Sequence, residues 1–258
     1  MKTIHQPKLT VVGAGPGDLD LITLKGVNAL KHANVVLYDA LVNKMMLMHC
    51  RPETECIYVG KRKGNYHYTQ SEINNLIKEK AFSKGHVVRL KGGDPFIFGR
   101  GAEEMEFAAQ SGIETAFVAG ISSSASVPGF QNIPLTKRGV SESFWVITGT
   151  TKSHQISTDV ALASQSNATV VILMGMSKIE EIVDLYKAQG KAHIPIAIIQ
   201  NGTTPQEKIG VGTIDTIVDI IKRDQLSNPA IIVIGEVVNH RKQMEAIKVK
   251  TTQYSLVC

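Results

Sequence analysis

Residues 88–104, VRLKGGDPFIFGRGAEE, combine a strand-like start with a loop that packing alone does not account for. The apolar beginning is typical of a buried strand, and two glycines, an acid and a proline follow it at once. Two aromatic residues and a Gly-Arg-Gly triplet come next, before a helix start with paired glutamates. Bare backbone, a carboxylate and an arginine in one strand-end loop indicate a ligand-binding segment.

Strand-like and helix-like segments alternate around this loop for most of the chain. Short β-branched runs recur from KLTVVG at 8–13 to AIIVIGE at 230–236. Apolar runs of this length, separated by helices, predict an α/β fold with mainly parallel sheets covered on both faces. The segment from Thr69 to Glu72 has the spacing of a helix-capping box, and Ser177 to Glu180 repeats it.

One segment interrupts the alternation. VPGFQNIPLTKRGVSES, residues 127–143, is rich in proline, glycine and serine, which is typical of a junction. We therefore expect an N-terminal α/β domain over 1–136, a C-terminal α/β domain over 137–240 and a tail over 241–258, where helical periodicity fades. Two such domains commonly bind a ligand in the cleft between them.

Composition and charge exclude several classes of protein. No apolar segment approaches the roughly 18 residues of a membrane span, and the N-terminus lacks a secretion signal. The 3 cysteines show no CxxC spacing, which favours a reducing cytoplasm over a disulfide framework. Without HExxH or paired CxxC motifs, we expect no metal. The net charge of +5 is dispersed without a long basic run, so we expect no nucleic-acid partner. Such a charge also suits a polyanionic small molecule, and charge alone does not decide between the two.

A second glycine loop, VVGAGPGDLD at 11–20, allows three interpretations. Asp39 ends the second predicted strand, where a dinucleotide-binding fold places its ribose-binding acid. The spacing, however, is G-x-G-x-G, with Asp18 in the place of the third glycine, and the next helix begins only after Thr23. The loop alone is therefore compatible with nicotinamide binding, with S-adenosylmethionine binding or with a tight turn that has no ligand.

Further strand-end loops favour a ligand over a simple turn. AGISSSAS at 119–126, MGM at 174–176 and QNGT at 200–203 place small residues or hydroxyls where larger side chains would block access. Any one of these loops would be ordinary by itself. Together they indicate a cleft that encloses a small molecule mainly with main-chain groups.

These loops belong to a longer series of motifs that share one order and spacing over residues 8–240. The series is GAGPGD, VVLYDALV, VGKR, TQSEIN, VRLKGGDPFIFGRGAEE, AGISSSAS, IPLTKRG and QNGT. It resembles the uroporphyrinogen-III C-methyltransferases, S-adenosylmethionine-dependent enzymes of the tetrapyrrole methylase family. RLKGGDPFIFGRG is the specific part of the resemblance, whereas GAGPG alone is weak.

The resemblance implies two α/β domains with the active site in the cleft between them, and a homodimer. It implies S-adenosylmethionine as methyl donor, S-adenosylhomocysteine as product, and two successive C-methylations of uroporphyrinogen III to precorrin-2. That product feeds sirohaem, cobalamin or haem d1 synthesis. Two alternatives are a related precorrin methyltransferase of the cobalamin pathway and, from another class, a nicotinamide-dependent oxidoreductase.

The resemblance also implies a set of cofactor contacts. These are Pro16, Gly92, Gly93, Asp94, Ile97, Ser122, Ser123, Met174 and Gly202.

Catalytic and substrate-binding residues follow from the same resemblance. Asp39 is implied as proton acceptor and Lys61 as proton donor, with Arg100 as an alternative catalytic residue. We expect Arg100 and Arg138 to bind substrate carboxylates through paired hydrogen bonds, and Glu103 to orient Arg100. Many relatives carry an arginine immediately after the residue that matches Asp39, where this chain has alanine. If that arginine holds substrate in the relatives, this chain has lost one contact or supplies it differently.

Overall fold

The computed structural model describes residues 6–60 and 68–255 and divides into two compact units, Met1–Ser123 and Ser124–Cys258. Each unit contains one five-stranded sheet with helices, so the predicted α/β class is confirmed. The division between the units falls after Ser123, upstream of the boundary expected at residue 136. The first residues of the proline- and glycine-rich segment 127–143 belong to the helix Ser123–Phe130.

The first unit alternates strands and helices in the predicted order. Its strands are β1 (Lys8–Gly13), β2 (Val35–Tyr38), β3 (Glu55–Tyr58), β4 (His86–Lys91) and β5 (Glu114–Val118). Its helices are α1 (Leu24–Lys31), α2 (Gln70–Lys84) and α3 (Gly101–Gln110), with 3₁₀ turns at Leu19–Leu21 and Lys44–His49. The strands pair in parallel in the order β3-β2-β4-β1-β5.

This strand order decides which face of the sheet each helix covers. The connections from β1 to β2 and from β2 to β3 run toward one edge, and the two later connections run toward the other. Because crossovers between parallel strands are right-handed, α1 lies on one face and α2 and α3 on the opposite face. The cores agree, since Leu30 packs with Val36 whereas Ile77 packs with Val35.

The second unit combines a parallel pair with antiparallel strands. Its strands are β6 (Phe144–Thr148), β7 (Thr169–Leu173), β8 (Pro195–Gln200), β9 (Lys208–Thr213) and β10 (Ala230–Ile234). Its helices are α4 (Ser123–Phe130), α5 (Thr158–Gln165), α6 (Ile179–Ala188), α7 (Ile217–Asp224) and α8 (Asn239–Ser255). The strand order is β6-β7-β10-β8-β9.

The prediction of mainly parallel sheets is correct for the first unit and wrong for the second. β6 and β7 are parallel, whereas β10 runs antiparallel to β7 and β8, and β8 runs antiparallel to β9. Residues 201–207, which join β8 to β9, are too few for a parallel crossover, which needs about a dozen residues. The short connection therefore produces a hairpin.

Local signals for helices are confirmed in part. Thr69 and Glu72 form the predicted capping box, in which each side chain accepts the backbone N–H of the other residue. The matching signal at Ser177 is wrong, because Ser177 lies inside a 3₁₀ turn and α6 begins at Ile179 without a side-chain cap. The expected tail is helical through Ser255 in α8, whose sequence is too polar to show a periodic apolar face. None of the helices in the described ranges has the length and apolarity of a membrane span.

Candidate functional site

The carboxyl ends of the strands bring the glycine loops of the first unit to one edge of the sheet. The neighbouring strands β1 and β4 are continued in opposite directions, β1 toward β2 and β4 toward β5. Crevices at such switch points are the usual ligand sites of open α/β sheets. The loop at 92–100 and the loop at 14–17 therefore occupy the position at which this fold class binds ligands.

Glycine backbones contact one another at this edge. Gly15 and Gly93 exchange two backbone hydrogen bonds, at N···O distances of 3.2 and 2.7 Å. A Cβ atom on Gly13 would lie 2.4 Å from the Cα atom of Gly120, and a Cβ on Gly120 would lie 2.1 Å from the carbonyl oxygen of Gly93. The sequence motifs suggest that these glycines let a ligand approach the backbone. The structure shows that the loops first require them to approach each other.

Asp94 joins two of these loops through its side chain. Its Oδ1 atom accepts the N–H of Phe96 at 2.8 Å, and its Oδ2 atom accepts the N–H of Gly120 at 3.0 Å. One carboxylate thus holds the turn after β4 and ties it to the loop after β5. Ile97, next in this turn, is exposed on the surface of the unit.

Arg100 begins α3 in an unusual backbone conformation. Its φ of 59° lies in the left-handed region, and its side chain is exposed. Glu103 is also exposed, and within the described residues no hydrogen bond or ion pair joins it to Arg100. The guanidinium of Arg100 is therefore available to a ligand, and the expected orienting contact from Glu103 is not made.

Among the described residues, two hydrogen bonds hold Asp39 at the end of β2. Its Oδ1 atom accepts the backbone N–H of Leu41 at 3.2 Å, and its Oδ2 atom accepts Nη2 of Arg89 at 3.4 Å. The Asp39 side chain keeps 24% exposure, whereas that of Arg89 keeps 4%. A partly exposed carboxylate with a fixed direction can accept a proton from a bound ligand.

Arg89 belongs to a buried group of charges that the sequence motifs do not predict. Glu104, which is 0% exposed, accepts Nε of Arg89 at 3.2 Å and Nζ of Lys91 at 3.1 Å. Burial lowers the pKa of Lys91, and the nearby Arg89 lowers it further, while Glu104 acts in the opposite direction. The signal in the sequence is the pair Arg89 and Lys91 at alternate positions of a strand covered on both faces, where unpaired charges are very costly.

The remaining sites of the first unit lie on the same edge or outside the described residues. Pro16 is half-buried between Gly15 and Gly17, both of which have positive φ. Ser122 and Ser123 are half-buried at the start of α4. Gly92 and Gly93 lie in the loop after β4, and a Cβ on Gly92 would be 2.7 Å from Cβ of Leu41. Lys61 lies outside the residues that the structure describes.

The sites of the second unit lie at the ends of its central strands. β7 and β8 are both antiparallel to β10, so their carboxyl ends point to one edge of that sheet. Met174 follows β7 with a φ of 55°, is exposed, and its carbonyl accepts Oγ1 of Thr150 at 2.7 Å. Gly202 follows β8, where a Cβ would lie 2.3 Å from Cγ1 of Val127. Arg138 is exposed.

The start of α1 argues against the binding of a dinucleotide. The loop after β1 does not enter α1 directly but passes through the 3₁₀ turn at Leu19–Leu21. The side chain of Thr23 already caps α1 by accepting the N–H of Gly26 at 3.1 Å. A pyrophosphate normally binds at this helix start, immediately after the glycine loop. The geometry therefore favours a ligand without phosphate groups.

Comparison with known proteins identifies a family. A model of the family described as Tetrapyrrole (Corrin/Porphyrin) Methylases matches residues 8–218. The chain is 44% identical over 234 residues to a uroporphyrinogen-III C-methyltransferase of Methanocaldococcus jannaschii, covering 90% of this chain and 97% of that one. It is also 44% identical over 236 residues to the enzyme of the same name from Priestia megaterium, covering 90% and 98%.

A solved structure has the same fold. Uroporphyrin-III C-methyl transferase from Thermus thermophilus, complexed with S-adenyl homocysteine, matches with a TM-score of 0.77 and 33% identity. The match covers 90% of this chain and 99% of that one.

The contact between glycine backbones predicts a steric penalty for Gly120→Ala. The added Cβ would meet the carbonyl oxygen of Gly93, which is backbone and cannot rotate away. We expect a loss of about 2 kcal/mol in the free energy of unfolding, measured by urea denaturation. Gly129→Ala is the matched control, because Gly129 is helical and no described residue lies within 4 Å of its Cβ position. Equal stability of the two variants would contradict the steric argument.

The two hydrogen bonds of Asp94 predict that Asp94→Ala destabilises the first unit. Losing a carboxylate that accepts two backbone N–H groups should cost about 2 kcal/mol in urea denaturation. Asp20→Ala is the control, because Asp20 is exposed and its neighbour Asp18 provides the cap of that turn. An Asp94→Ala variant as stable as the control would mean that these bonds do not hold the loops together.

Proposed function

Because the chain belongs to the tetrapyrrole methylase family, we propose that it methylates carbon atoms of uroporphyrinogen III with S-adenosylmethionine. Two successive methylations give precorrin-2, which feeds sirohaem, cobalamin or haem d1 synthesis. The observation that carries the proposal is 44% identity, over nearly the full length of both chains, to enzymes named for this reaction.

The methyl donor fits the loops because it has no phosphate. S-adenosylmethionine supplies an electrophilic methyl group, so the protein needs no nucleophile of its own. In the first unit we assign its contacts to Pro16, Gly92, Gly93, Asp94, Ile97, Ser122 and Ser123, and in the second to Met174 and Gly202. Two observations support the assignment: the start of α1 is already capped, and Ile97 and Met174 each expose apolar surface in the loop that follows a strand of its own unit.

Asp39 is assigned as the proton acceptor. Methylation of a pyrrole carbon leaves a proton on the macrocycle, and a base within hydrogen-bond reach must remove it. The partial exposure of Asp39 and its two anchoring hydrogen bonds support this role. Lys61 is assigned as proton donor from the family resemblance, and Arg100 is the alternative catalytic group.

Arg100 and Arg138 are assigned to the carboxylates of the substrate. A planar guanidinium binds a carboxylate through two parallel hydrogen bonds, and both side chains are exposed. Within the described residues the guanidinium of Arg100 has no acidic partner to compete with a substrate. Glu103, also exposed, is assigned to the same substrate surface.

The proposal also includes the assembly and location of the enzyme. We assign a homodimer, from the family resemblance. We place it in the cytoplasm, since the 3 cysteines show no spacing typical of a disulfide framework.

The function is tested by anaerobic incubation of the pure protein with uroporphyrinogen III and S-adenosylmethionine, followed by mass spectrometry of the tetrapyrrole. We expect a gain of two methyl groups. No gain from protein that still binds S-adenosylhomocysteine would overturn the substrate and point to a later precorrin. No gain and no binding, from protein with a native circular dichroism spectrum, would overturn the cofactor as well.

A substitution separates substrate binding from cofactor binding. Arg100→Ala should reduce turnover of uroporphyrinogen III by at least about 100-fold, the scale expected for a lost charge-assisted bidentate contact. Affinity for S-adenosylhomocysteine, measured by calorimetry, should stay within about twofold. Arg223→Ala is the control, because Arg223 pairs with Asp224 on the exposed side of α7. Turnover of Arg100→Ala close to that of the control would remove Arg100 from the site.

A further inference from the structure

We propose that Glu104 is a positioning residue for the proposed methyl transfer, acting through Arg89 to fix the carboxylate of Asp39. The inference rests on the proposed function, in which Asp39 accepts a proton. It concerns two buried residues, Glu104 and Arg89, that act on Asp39 from beneath the surface.

Glu104 forms the fixed end of this arrangement. Its side chain is completely buried on α3, and its Oε1 atom accepts three donors, from Arg89 at 3.2 Å, Lys91 at 3.1 Å and Gln70 at 3.2 Å. The Oε2 atom is buried without a hydrogen-bond partner among the described residues. The contacts through Oε1 therefore set the position of the carboxylate.

Arg89 transmits this position to Asp39. Its Nε atom donates to Glu104, its Nη1 atom donates to the carbonyl oxygens of Leu37 and Leu90 at 3.3 and 3.0 Å, and its Nη2 atom donates to Asp39 at 3.4 Å. All three nitrogens of a rigid, planar guanidinium are engaged. Because the plane is held at Nε and Nη1, the direction of the Nη2 donor toward Asp39 is fixed.

Charge balance gives a reason for this arrangement. Arg89 and Lys91 are two cations, each no more than 5% exposed to solvent, and Glu104 is the anion buried between them. Asp39 supplies the second negative charge and is the member of the group that reaches the surface, with 24% side-chain exposure. A buried cation without a nearby anion is strongly unfavourable, so Arg89 and Asp39 are held as partners.

The consequence for the reaction is geometric. A base acts only within hydrogen-bond reach of the proton that it removes, and a displacement of about 1 Å can cost a factor of about 100 in rate. Loss of the Glu104 anchor would let the Arg89 plane rotate and the Asp39 carboxylate shift with it. The effect should therefore fall on the chemical step rather than on the binding of either substrate.

The test begins with Glu104→Gln, which keeps the size of the side chain and removes its charge. We expect kcat to fall about tenfold or more, with KM and S-adenosylhomocysteine affinity within about threefold of wild type. Glu106→Gln is the matched control, since Glu106 lies exposed on the same helix, and its kcat should be unchanged. A rise in KM with unchanged kcat would overturn the positioning role.

A double-mutant cycle distinguishes positioning from a general structural effect. In an Asp39→Asn background the base is already lost, so Glu104→Gln should lower kcat no further. Full additivity of the two changes would show that Glu104 does not act through Asp39.

Glu104→Gln leaves two buried cations with one anion, which can destabilise the fold. A second, charge-balanced variant therefore tests the same role in a folded protein. Lys91→Met combined with Glu104→Gln removes one charge of each sign and retains the Arg89–Asp39 pair. We expect this double variant to fold and still to show the reduced kcat. A wild-type kcat in this folded variant would overturn the proposal.

A final readout does not depend on activity. The ¹⁵N-coupled proton signals of the Arg89 guanidinium report how freely its Nη groups rotate. Glu104→Gln should increase the rotation rate of the Nη2 group that faces Asp39, whereas Glu106→Gln should leave this rate unchanged. Unchanged Arg89 signals in Glu104→Gln would overturn the positioning pair even if the enzyme methylates. Absent methylation in wild type, with the expected Arg89 signals, would overturn the function and not the pair.

Discussion

The contact between the backbones of Gly13, Gly93 and Gly120 is the constraint on which the ligand edge of the first sheet depends. A parallel sheet brings all its strand ends to one side, but side chains normally keep the following loops apart. Here the absence of Cβ atoms lets three loops meet at van der Waals distance, with Gly15 and Gly93 exchanging backbone hydrogen bonds. The loops therefore support each other, and Asp94 fastens them from one side.

Beneath this edge, a second constraint comes from charges that the sheet encloses. Arg89 and Lys91 lie at the end of β4, on the face of the sheet that α3 covers. A strand covered on both faces would ordinarily carry apolar residues at these positions. Glu104 compensates them, and Asp39 reaches from the group toward the surface. The glycine contacts and the neutralised ion group together fix the positions of the loops and of Asp39. A flexible polar loop would supply the same functional groups without a fixed geometry.

Much of this architecture is predictable from the sequence, and the parts that are not have physical causes. Apolar runs and the Thr69–Glu72 capping box locate the strands and α2 because they depend on neighbouring residues. The direction of β10 depends on pairings far apart in the chain, so apolar pattern alone misassigns the second sheet. At the site, glycine and acid motifs locate the loops. They do not distinguish a glycine needed by a ligand from one needed by another loop, nor Glu103 on the surface from the buried Glu104 beside it.

The capped start of α1 has a consequence for selectivity among adenine-containing metabolites. ATP and the nicotinamide dinucleotides share the adenosine group with S-adenosylmethionine, and they carry phosphates that ordinarily bind the first turn of such a helix. Thr23 occupies that turn, and a 3₁₀ turn separates it from the glycine loop. The phosphates of a bound nucleotide would therefore find one donor of that turn already engaged. A threonine hydroxyl at the start of a helix thus makes this site less suited to phosphate-bearing competitors, by withholding a contact rather than by making one.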